Sequence, residues 1–422
     1  MDISDQRPIV PVIVLQHADD AAMLHAQRSL LIRAPHSRLL NLVRFDDRLA
    51  AHLDALSIAG ERVWPMLDAL LESPSAHSLF VTTVRAIEAR LWDRLDRLVA
   101  IAEQVPEVQP GMRSAFGWLK PSFLREVVAE LLASKHPLRR AMGTAASAMH
   151  RVDPGIITMR RLEDPDPLVR ARVLRCAGEL GRVELVSTIA AAVTDEDSDC
   201  QSWAAWSAVL LGDRQNALHM LRAKALAEGL LQPKMLQLSL QAMPVAEAHA
   251  LLQQIARNPA NQRKLIQGAG LIGDPSYIPW LIGHMADDKW TRLAGESFSM
   301  ITGADLALLD LERKPPENVE AGPNDDPDDP NVDMDADDGL PWPEQARVQQ
   351  WWSIHGARFT AGTRHFIGSP LSREHCIDVL KHGYQRQRIA AACHLCLLRP
   401  GTPLFEWRAP AWRQQQELLQ MK

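Results

Sequence analysis

The sequence predicts an all-α protein built as a solenoid of stacked helix pairs, with a helical N-terminal cap and a C-terminal helical subdomain. Its 422 residues are 46% hydrophobic and 23% charged, as is typical of a globular chain. The apolar residues are chiefly Leu and Ala, with only two Tyr, and they rarely alternate with polar residues as strands require. A motif of about thirty residues also recurs through the middle of the chain. These observations together favour a repeat architecture made of helices.

The repeat is clearest in "LEDPDPLVRARVLRCAGELG" at 162–181 and "VTDEDSDCQSWAAWSAVLLG" at 193–212, which superimpose at an offset of 31 residues. The superposition matches Asp164 with Asp195, Asp166 with Asp197, Ala177 with Ala208, Leu180 with Leu211, and Gly181 with Gly212. Because both copies end in glycine after an apolar helical pattern, the match predicts the same helix in each.

In the first copy the helix ends can be predicted from individual residues. Asp166 can cap the helix, Pro167 suits its first turn, and Gly181 suits a left-handed C-terminal end. The following segment "VELVSTIAAAV" supplies a second apolar helix. A pair of this size is too small to bury its own apolar face, so it must stack on neighbouring pairs.

Less regular copies are visible at 132–151, 261–285 and 287–303. Helical pairs with this period and this Asp…Arg…Ala…Leu-Gly pattern resemble HEAT-like repeats of the short bacterial type. The resemblance specifies the fold class as a HEAT-like helical-repeat solenoid. We predict four regions: a helical N-terminal region (1–110), the HEAT-like repeats (111–312), an acidic Pro-rich linker (313–343) and a C-terminal helical region (344–422).

The linker changes how the net charge of −6 is interpreted. Eleven of the 52 acidic residues lie between Glu317 and Glu344, a stretch without Lys or Arg. The remainder has 46 basic and 41 acidic residues, and is therefore mildly basic. This is well short of the strongly basic balance of a dedicated nucleic-acid-binding protein. We predict that the linker is a solvated tether that shields a basic surface until a partner displaces it.

The end of the linker, "DMDADDGLPWPE", has carboxylates spaced as in a calcium-binding loop, with Asp333, Asp335 and Asp337 followed by Glu344. The match fails in other respects. The glycine comes one residue late at Gly339, prolines follow it, and no helix is predicted before the segment. The interpretation as a solvated linker is preferred to specific calcium binding.

A zinc site is a second metal hypothesis, because Cys393 and Cys396 have the spacing of half a zinc motif and His375 could add a ligand. The same segment, "AAACHLCLL", is an apolar helix in which cysteine is an ordinary core residue. Packing is therefore preferred, and we predict no metal and no cofactor.

The sequence contains no motif that indicates a catalytic site. It has no Gly-x-Ser-x-Gly motif and no phosphate-binding loop, and "GAGLIGD" at 268–274 ends a repeat helix. The paired acids near Asp164 and Asp195 recur in register, as capping residues would. We therefore predict a protein without enzymatic activity.

Arginines recur at equivalent repeat positions, and tryptophans could add anchoring surfaces. We predict that the partner-binding residues are Arg139, Arg140, Arg170, Arg172, Trp203, Trp206 and Trp290. These arginines could instead pair with the repeat aspartates or form a basic stripe for nucleic acid. A protein partner is preferred to nucleic acid.

A more specific resemblance comes from "FDDRLAAHLDALSIAGERVW" at 45–64 and "GTPLFEWRAPAWRQQ" at 401–415, taken together with the repeats. The chain resembles a bacterial family of HEAT-like proteins, without established activity, that is often encoded beside type VI secretion genes. The resemblance covers nearly the whole chain. It implies a protein-binding adaptor or chaperone-like scaffold whose partner is a secretion component, such as a spike protein, or an effector.

Two alternatives to this function stay open, a nucleic-acid-binding repeat protein and a metal-dependent activity of the C-terminal His/Cys group. The N-terminus lacks the features of a secretion signal, no stretch approaches the length of a membrane span, and the five cysteines form no disulfide framework. A cytoplasmic location is therefore expected.

Overall fold

The computed structural model describes residues 9–317 and 335–421. In order, the helices of this part of the chain are α1 (Pro11–Leu31), α2 (Leu39–Ile58), α3 (Trp64–Leu70), α4 (Ala76–Glu88), α5 (Trp92–Gln104), α6 (Gln109–Trp118), α7 (Pro121–Ala133), α8 (Pro137–Met149), α9 (Ile156–Arg161), α10 (Pro167–Leu180), α11 (Val186–Ala191), α12 (Ser198–Leu210), α13 (Asn216–Leu226), α14 (Gln232–Ala242), α15 (Val245–Ile255), α16 (Gln262–Ile272), α17 (Ile278–His284), α18 (Thr291–Thr302), α19 (Gln345–His355), α20 (Arg373–His382), α21 (Gln385–Leu398) and α22 (Ala411–Gln420).

Strands in the described residues are limited to one hairpin, β1 (His365–Phe366) paired antiparallel with β2 (Ser369–Pro370). The prediction of an all-α helical-repeat fold is therefore confirmed, whereas the hairpin was not predicted. Within the described residues, every helix is too short or too polar to traverse a lipid bilayer.

The chain forms two compact units, and neither is continuous in sequence. The first comprises the chain up to Ile32, Leu39–Leu180 and Phe405–Gln420, and the second comprises Arg33–Arg38 and Gly181–Leu404. These boundaries differ from the four predicted regions. The predicted C-terminal region in particular is divided, because its helices pack against two different parts of the chain.

One apolar core runs through the first unit. Leu49 and Leu79 from the N-terminal helices share it with Phe116, Leu124 and Met142. The boundary predicted between residues 110 and 111 thus falls inside a single core. The helices on its two sides pack together, because α4 lies against both α6 and α7.

The predicted helix ends of the central repeats are confirmed. The side chain of Asp166 accepts from the amide of Leu168 at 2.9 Å, and the side chain of Asp197 accepts from the amide of Cys200 at 2.8 Å. Gly181 and Gly212 follow the two helices with φ of +71° and +110°, which strongly favours glycine. The recurring acids therefore act as local caps.

In the second unit α12 contacts α14, α14 contacts α16, and α16 contacts α18, as stacked repeats require. The C-terminal helix α21 packs on α12 and α14. Farther along, Ile266, Phe298 and Val348 lie in one core cluster. Residues 344–404 are therefore an integral part of this unit.

The hairpin satisfies backbone groups at the ends of the repeat helices. The amide of His365 donates to the carbonyl of Gly273 at 2.7 Å, and the amide of Ile367 donates to the carbonyl of Met300 at 2.8 Å. The guanidinium of Arg364 donates to Leu240 O at 2.9 Å and to Leu271 O at 3.1 Å. Because helices leave their last carbonyls without internal partners, these bonds complete α14, α16 and α18.

In the first unit the C-terminal segment is held by a buried ion pair. Arg28 Nε donates to Asp46 Oδ1 at 2.6 Å, and Arg28 Nη2 donates to the carbonyl of Ala409 at 3.0 Å. Asp46 Oδ2 also accepts from the amide of Ala411 at 2.7 Å, where α22 begins. Asp46 therefore caps a helix that lies 365 positions away along the chain.

A second buried ionic network in this unit joins α10 to the same C-terminal segment. Arg172 and Arg175 donate to Glu179 at 2.5 and 2.8 Å. Arg408 pairs with Glu406 at 2.6 Å and also lies 3.8 Å from Glu179, which links the two segments. Burial alone would raise the carboxyl pKa values, but the surrounding guanidinium groups hold the pKa of Glu179 well below its usual range and lower that of Glu406 to about 2.

This network predicts acid sensitivity of the first unit. A carboxylate whose pKa is lowered by folding contributes stability that is fully present above its unfolded pKa of about 4.3 and is lost as the pH falls toward the folded value. The free energy of unfolding in urea should fall by up to about 3 kcal/mol between about pH 5 and pH 2 through Glu406. Glu406→Gln should reduce this loss of stability at low pH, whereas the control Glu107→Gln, at an exposed position, should leave the loss unchanged.

The hairpin contact predicts a strong effect at Gly273. Its φ is +76°, and an added Cβ would lie 2.1 Å from the carbonyl oxygen of His365, so Gly273→Ala should lower the free energy of unfolding by at least about 2 kcal/mol. Gly283→Ala is the matched control, because its Cβ would meet no described atom within 4 Å; it should raise stability by about 0.5 kcal/mol. Equal stability of both variants in denaturant titrations would contradict the assigned contact.

Candidate protein-binding grooves

The predicted arginines of α8 differ in their surroundings. Arg140 is buried and forms a bidentate pair with Asp164, with distances of 2.9 and 2.7 Å. Arg139 donates to Asp96 at 2.7 Å, and its side chain is 28% exposed. Only Arg139 therefore presents part of its guanidinium group at the surface.

The predicted arginines of α10 are also used within the fold. Arg170 donates to the backbone carbonyls of Asp164 and Pro165 at 2.9 and 3.1 Å. Arg172 donates to Glu179, whose side chain is 1% exposed. Their positive charges are bound to groups of the same unit, so the repeat arginines do not form an open basic stripe here.

The predicted tryptophans are mostly interior. Trp203 and Trp206 of α12 are 8% and 6% exposed and form an edge-to-face pair with ring centroids 5.5 Å apart. Their prediction as surface anchors is corrected by this burial, since both pack the repeat. Trp290 is half-buried, and the Lys289 ammonium lies 4.9 Å from its ring.

The end of the acidic segment packs against other residues of the second unit. Asp333 lies outside the described residues, as does most of the predicted linker. Residues 335–338, here named the acidic turn, are bound by arginines, and Leu340 and Trp342 after them are buried. The expectation of a solvated linker does not hold for this part, because its carboxylates have partners and its apolar residues join the core.

The residues weighed as half a zinc site are engaged within the fold, and the ring of His375 donates to the carbonyl of Phe366 at 2.7 Å. Cys393 and Cys396 are buried, and burial raises the pKa of Cys393 to about 12. Burial lowers the pKa of His394 to about 3, while His382 is exposed and contacts Asp378 at 2.9 Å. Among the described residues, no three His, Cys, Asp or Glu side chains are grouped so that they could hold a metal ion.

The second unit instead has a groove that the sequence did not reveal. Its volume is about 580 Å³, and it lies along α14, α16, α18 and α21. Its floor is apolar and is formed by Leu236, Leu271, Met300 and Ile389. Its rim carries three amides and three cations, which are Gln232, Gln237, Gln267, Arg263, Lys264 and Arg386.

Glycines of α16 that line this groove allow the helix to pack closely on its neighbours. A Cβ on Gly268 would lie 2.6 Å from a methyl group of Leu252, and one on Gly270 would lie 3.0 Å from Cα of Ser297. The hydroxyl of Ser297 donates to the carbonyl of Ile266 at 2.8 Å. The segment "GAGLIGD" therefore serves close packing of α16 with its neighbours.

A larger groove of about 1320 Å³ lies elsewhere in the same unit. Cations stack on aromatic rings in its lining: Arg38 lies 4.2 Å from the ring centre of Tyr384, and Arg292 lies 4.7 Å from that of Trp342. Arg38 also pairs with Asp305 at 3.0 Å. Glu296 lines both grooves, and its burial raises its pKa despite the nearby Arg386.

The repeat register contains a signal for the smaller groove. The ninth residue before the terminal glycine is Arg172 in α10 and Lys264 in α16, and the sixth is Arg175 in α10 and Gln267 in α16. Extending the arginine pattern to the later repeat would have pointed to this face.

The comparisons with known proteins agree with this architecture. Residues 158–229 match the family model for HEAT repeats, and the match begins within α9 and ends just after α13. No curated protein and no solved structure is similar enough to the chain to give a match. The chain is thus an all-α helical-repeat protein that contains HEAT-like repeats, a class that generally serves as non-enzymatic scaffolds for protein interaction.

Adjacent arginines of α8 offer a test of the assigned contacts. Arg140→Ala leaves Asp164 buried without its bidentate partner and should lower the free energy of unfolding by about 3–5 kcal/mol. Arg139→Ala breaks a pair that is open to solvent and should cost less than about 1 kcal/mol. Denaturant titration of both variants measures the difference, and similar losses would contradict it.

Proposed function

We propose that the protein is a non-enzymatic adaptor or chaperone-like scaffold that binds a type VI secretion component or effector. The HEAT-like repeats support a role in protein interaction. The resemblance of 45–64, 401–415 and the repeats to a family encoded beside secretion genes supports the choice of partner. The observation that carries the binding role is the smaller groove of the second unit.

This groove has the chemistry of a surface for a protein segment. Its apolar floor can bury side chains such as Leu or Met, and its rim amides can pair with the backbone of a bound chain. The rim cations Arg263, Lys264 and Arg386 would favour a segment that carries acidic residues. The groove can therefore bury apolar side chains of a bound segment while its polar rim groups orient the backbone of that segment.

A nucleic-acid-binding function has weaker support. It would require cations free to contact successive phosphates. Arg140 and Arg172, which could have belonged to such a stripe, are bound to Asp164 and Glu179. The apolar floor of the groove also suits amino-acid side chains.

Filling the groove should weaken partner binding. Gln267→Trp would place a large ring over the floor beside Leu271, and we expect it to weaken binding of the partner at least about tenfold. Gln253→Trp on the exposed side of α15 is the matched control and should bind as the unaltered chain does. The measurement is co-purification with each candidate secretion component, followed by titration of those that bind.

The outcomes separate the parts of the proposal. Binding of a component that both tryptophan variants retain would exclude this groove. Failure of every secretion component to bind the intact chain would refute the secretion role. Both variants should keep the melting temperature of the unaltered chain, because each change lies at the surface.

A further inference from the structure

The acidic turn is bound by three arginines from three helices of the second unit. Arg263 of α16, Arg292 of α18 and Arg386 of α21, here named the arginine cluster, converge on residues 335–338. The contacts join positions far apart in the chain, and they place two carboxylates beside the smaller groove.

The geometry is that of carboxylate recognition. Arg263 forms a bidentate pair with Asp337, with distances of 2.7 and 2.5 Å. Arg292 donates to Asp335 Oδ2 at 2.5 Å and to the carbonyl of Asp337 at 3.1 Å. Arg386 donates to the carbonyl of Ala336 and lies 3.9 Å from the Asp337 carboxylate. Planar guanidinium groups are suited to bind carboxylates in this way.

The charges of the cluster depend on the turn. The helices provide three positively charged guanidinium groups and one carboxylate, that of Glu296, which Arg386 contacts at 2.6 Å. The carboxylates of Asp335 and Asp337 bring the whole group close to neutrality. Consistent with this, the hydrogen bond to Asp337 raises the pKa of Arg263. Burial alone would raise the pKa of Asp335, but the amide of Asp337 and the guanidinium of Arg292 hold this pKa below its usual range.

The turn is attached mainly by polar contacts, whereas its flank is anchored by apolar packing. Asp337 is 4% exposed, but Ala336 and Asp338 lie at the surface, and the side chain of Arg263 remains 37% exposed. Downstream, Leu340 and Trp342 are buried. A competing carboxylate could therefore replace the turn while the flanking residues stay in place.

Two of the three arginines of the cluster line the smaller groove, whereas Arg292 lines the larger one. Arg263, Arg386 and Glu296 contribute to the lining of the smaller groove, next to Met300 and Ile389. A protein segment lying on the apolar floor would bring its own side chains to these arginines. The cluster thus stands at the end of the surface assigned to the partner.

We propose that the arginine cluster is a carboxylate-binding site for an acidic segment of the protein partner, and that the acidic turn is an internal occupant which this segment displaces. The inference rests on the proposed protein-binding function and specifies the chemistry of its partner. Because the turn is part of the same chain, its high effective concentration keeps the site closed to weak or non-specific acidic peptides.

The test uses the full chain and its own acidic segment supplied as a separate peptide. The peptide covers 331–344, "NVDMDADDGLPWPE", and carries a fluorescent label. We expect the double variant D335N/D337N to bind it at least about tenfold more tightly than the unaltered chain, because the internal competitor is weakened. Raising salt from about 0.05 to about 0.5 M should weaken this binding.

Two changes examine the specificity of the site. A peptide with Asn at both positions should not bind, and adding Arg263→Glu to the double variant should abolish binding of the acidic peptide. Arg257→Glu, at an exposed arginine outside the cluster, is the matched control and should retain it. A folded double variant that binds no better than the unaltered chain would overturn the proposal, and so would equal competition by a single-stranded oligonucleotide.

A second measurement does not depend on the stability of the variants. In the unaltered chain the amides of Asp338 and Leu340 donate to the carbonyls of Asp335 and Asp337 at 3.0 and 3.1 Å. Excess peptide should accelerate hydrogen exchange at 335–340 if it displaces the turn, and unchanged exchange at saturating peptide would refute displacement. Partner binding that Arg263→Glu does not affect would refute this site while leaving the adaptor function intact.

Discussion

The second unit depends on one constraint: the repeat helices end in carbonyl groups that need hydrogen-bond donors. The C-terminal segment supplies these donors through the amides of His365 and Ile367 and the guanidinium of Arg364. Such close approach is possible because Gly273 and Gly303 end the helices, and a Cβ at either position would collide with the hairpin. Burial lowers the pKa of Arg364 to about 10, which leaves it a charged donor at neutral pH. The hairpin is therefore part of the repeat region.

The features that could be predicted from the sequence are those whose causes are local. Asp166 and Gly181 act within one helix, so their residue types and spacing were sufficient to predict its ends. The division into units could not be predicted, because it depends on partners far apart in the chain. Asp46 accepts a hydrogen bond from the amide of Ala411, and nothing in the sequence around either residue indicates this contact. The two segments behind the family resemblance, 45–64 and 401–415, nevertheless contain this pair.

The candidate site was only partly predictable, because the sequence does not show whether an arginine is exposed or is paired inside the fold. Arg172 and Lys264 occupy the same position relative to the terminal glycine of their helices. Two turns later, α10 has Glu179 and α16 has Leu271. The carboxylate binds Arg172 within its own helix, whereas the leucine forms part of the groove floor beside Lys264. Burial and neighbouring side chains therefore decide which cation is available.

This difference has a thermodynamic consequence for the two repeat faces. Glu179 is fixed on α10, so separating it from its arginines would require disruption of a buried network, which costs several kcal/mol, about 3–5 for one broken pair. In the second unit, the carboxylates that neutralise the cations come from Asp335 and Asp337, in a turn outside the repeat helices. The proposed exchange of this turn for another carboxylate would leave the helices and their glycine-ended contacts unchanged. If the turn is exchanged as proposed, the same repeat design gives a permanent ionic core in one unit and a reversible one in the other.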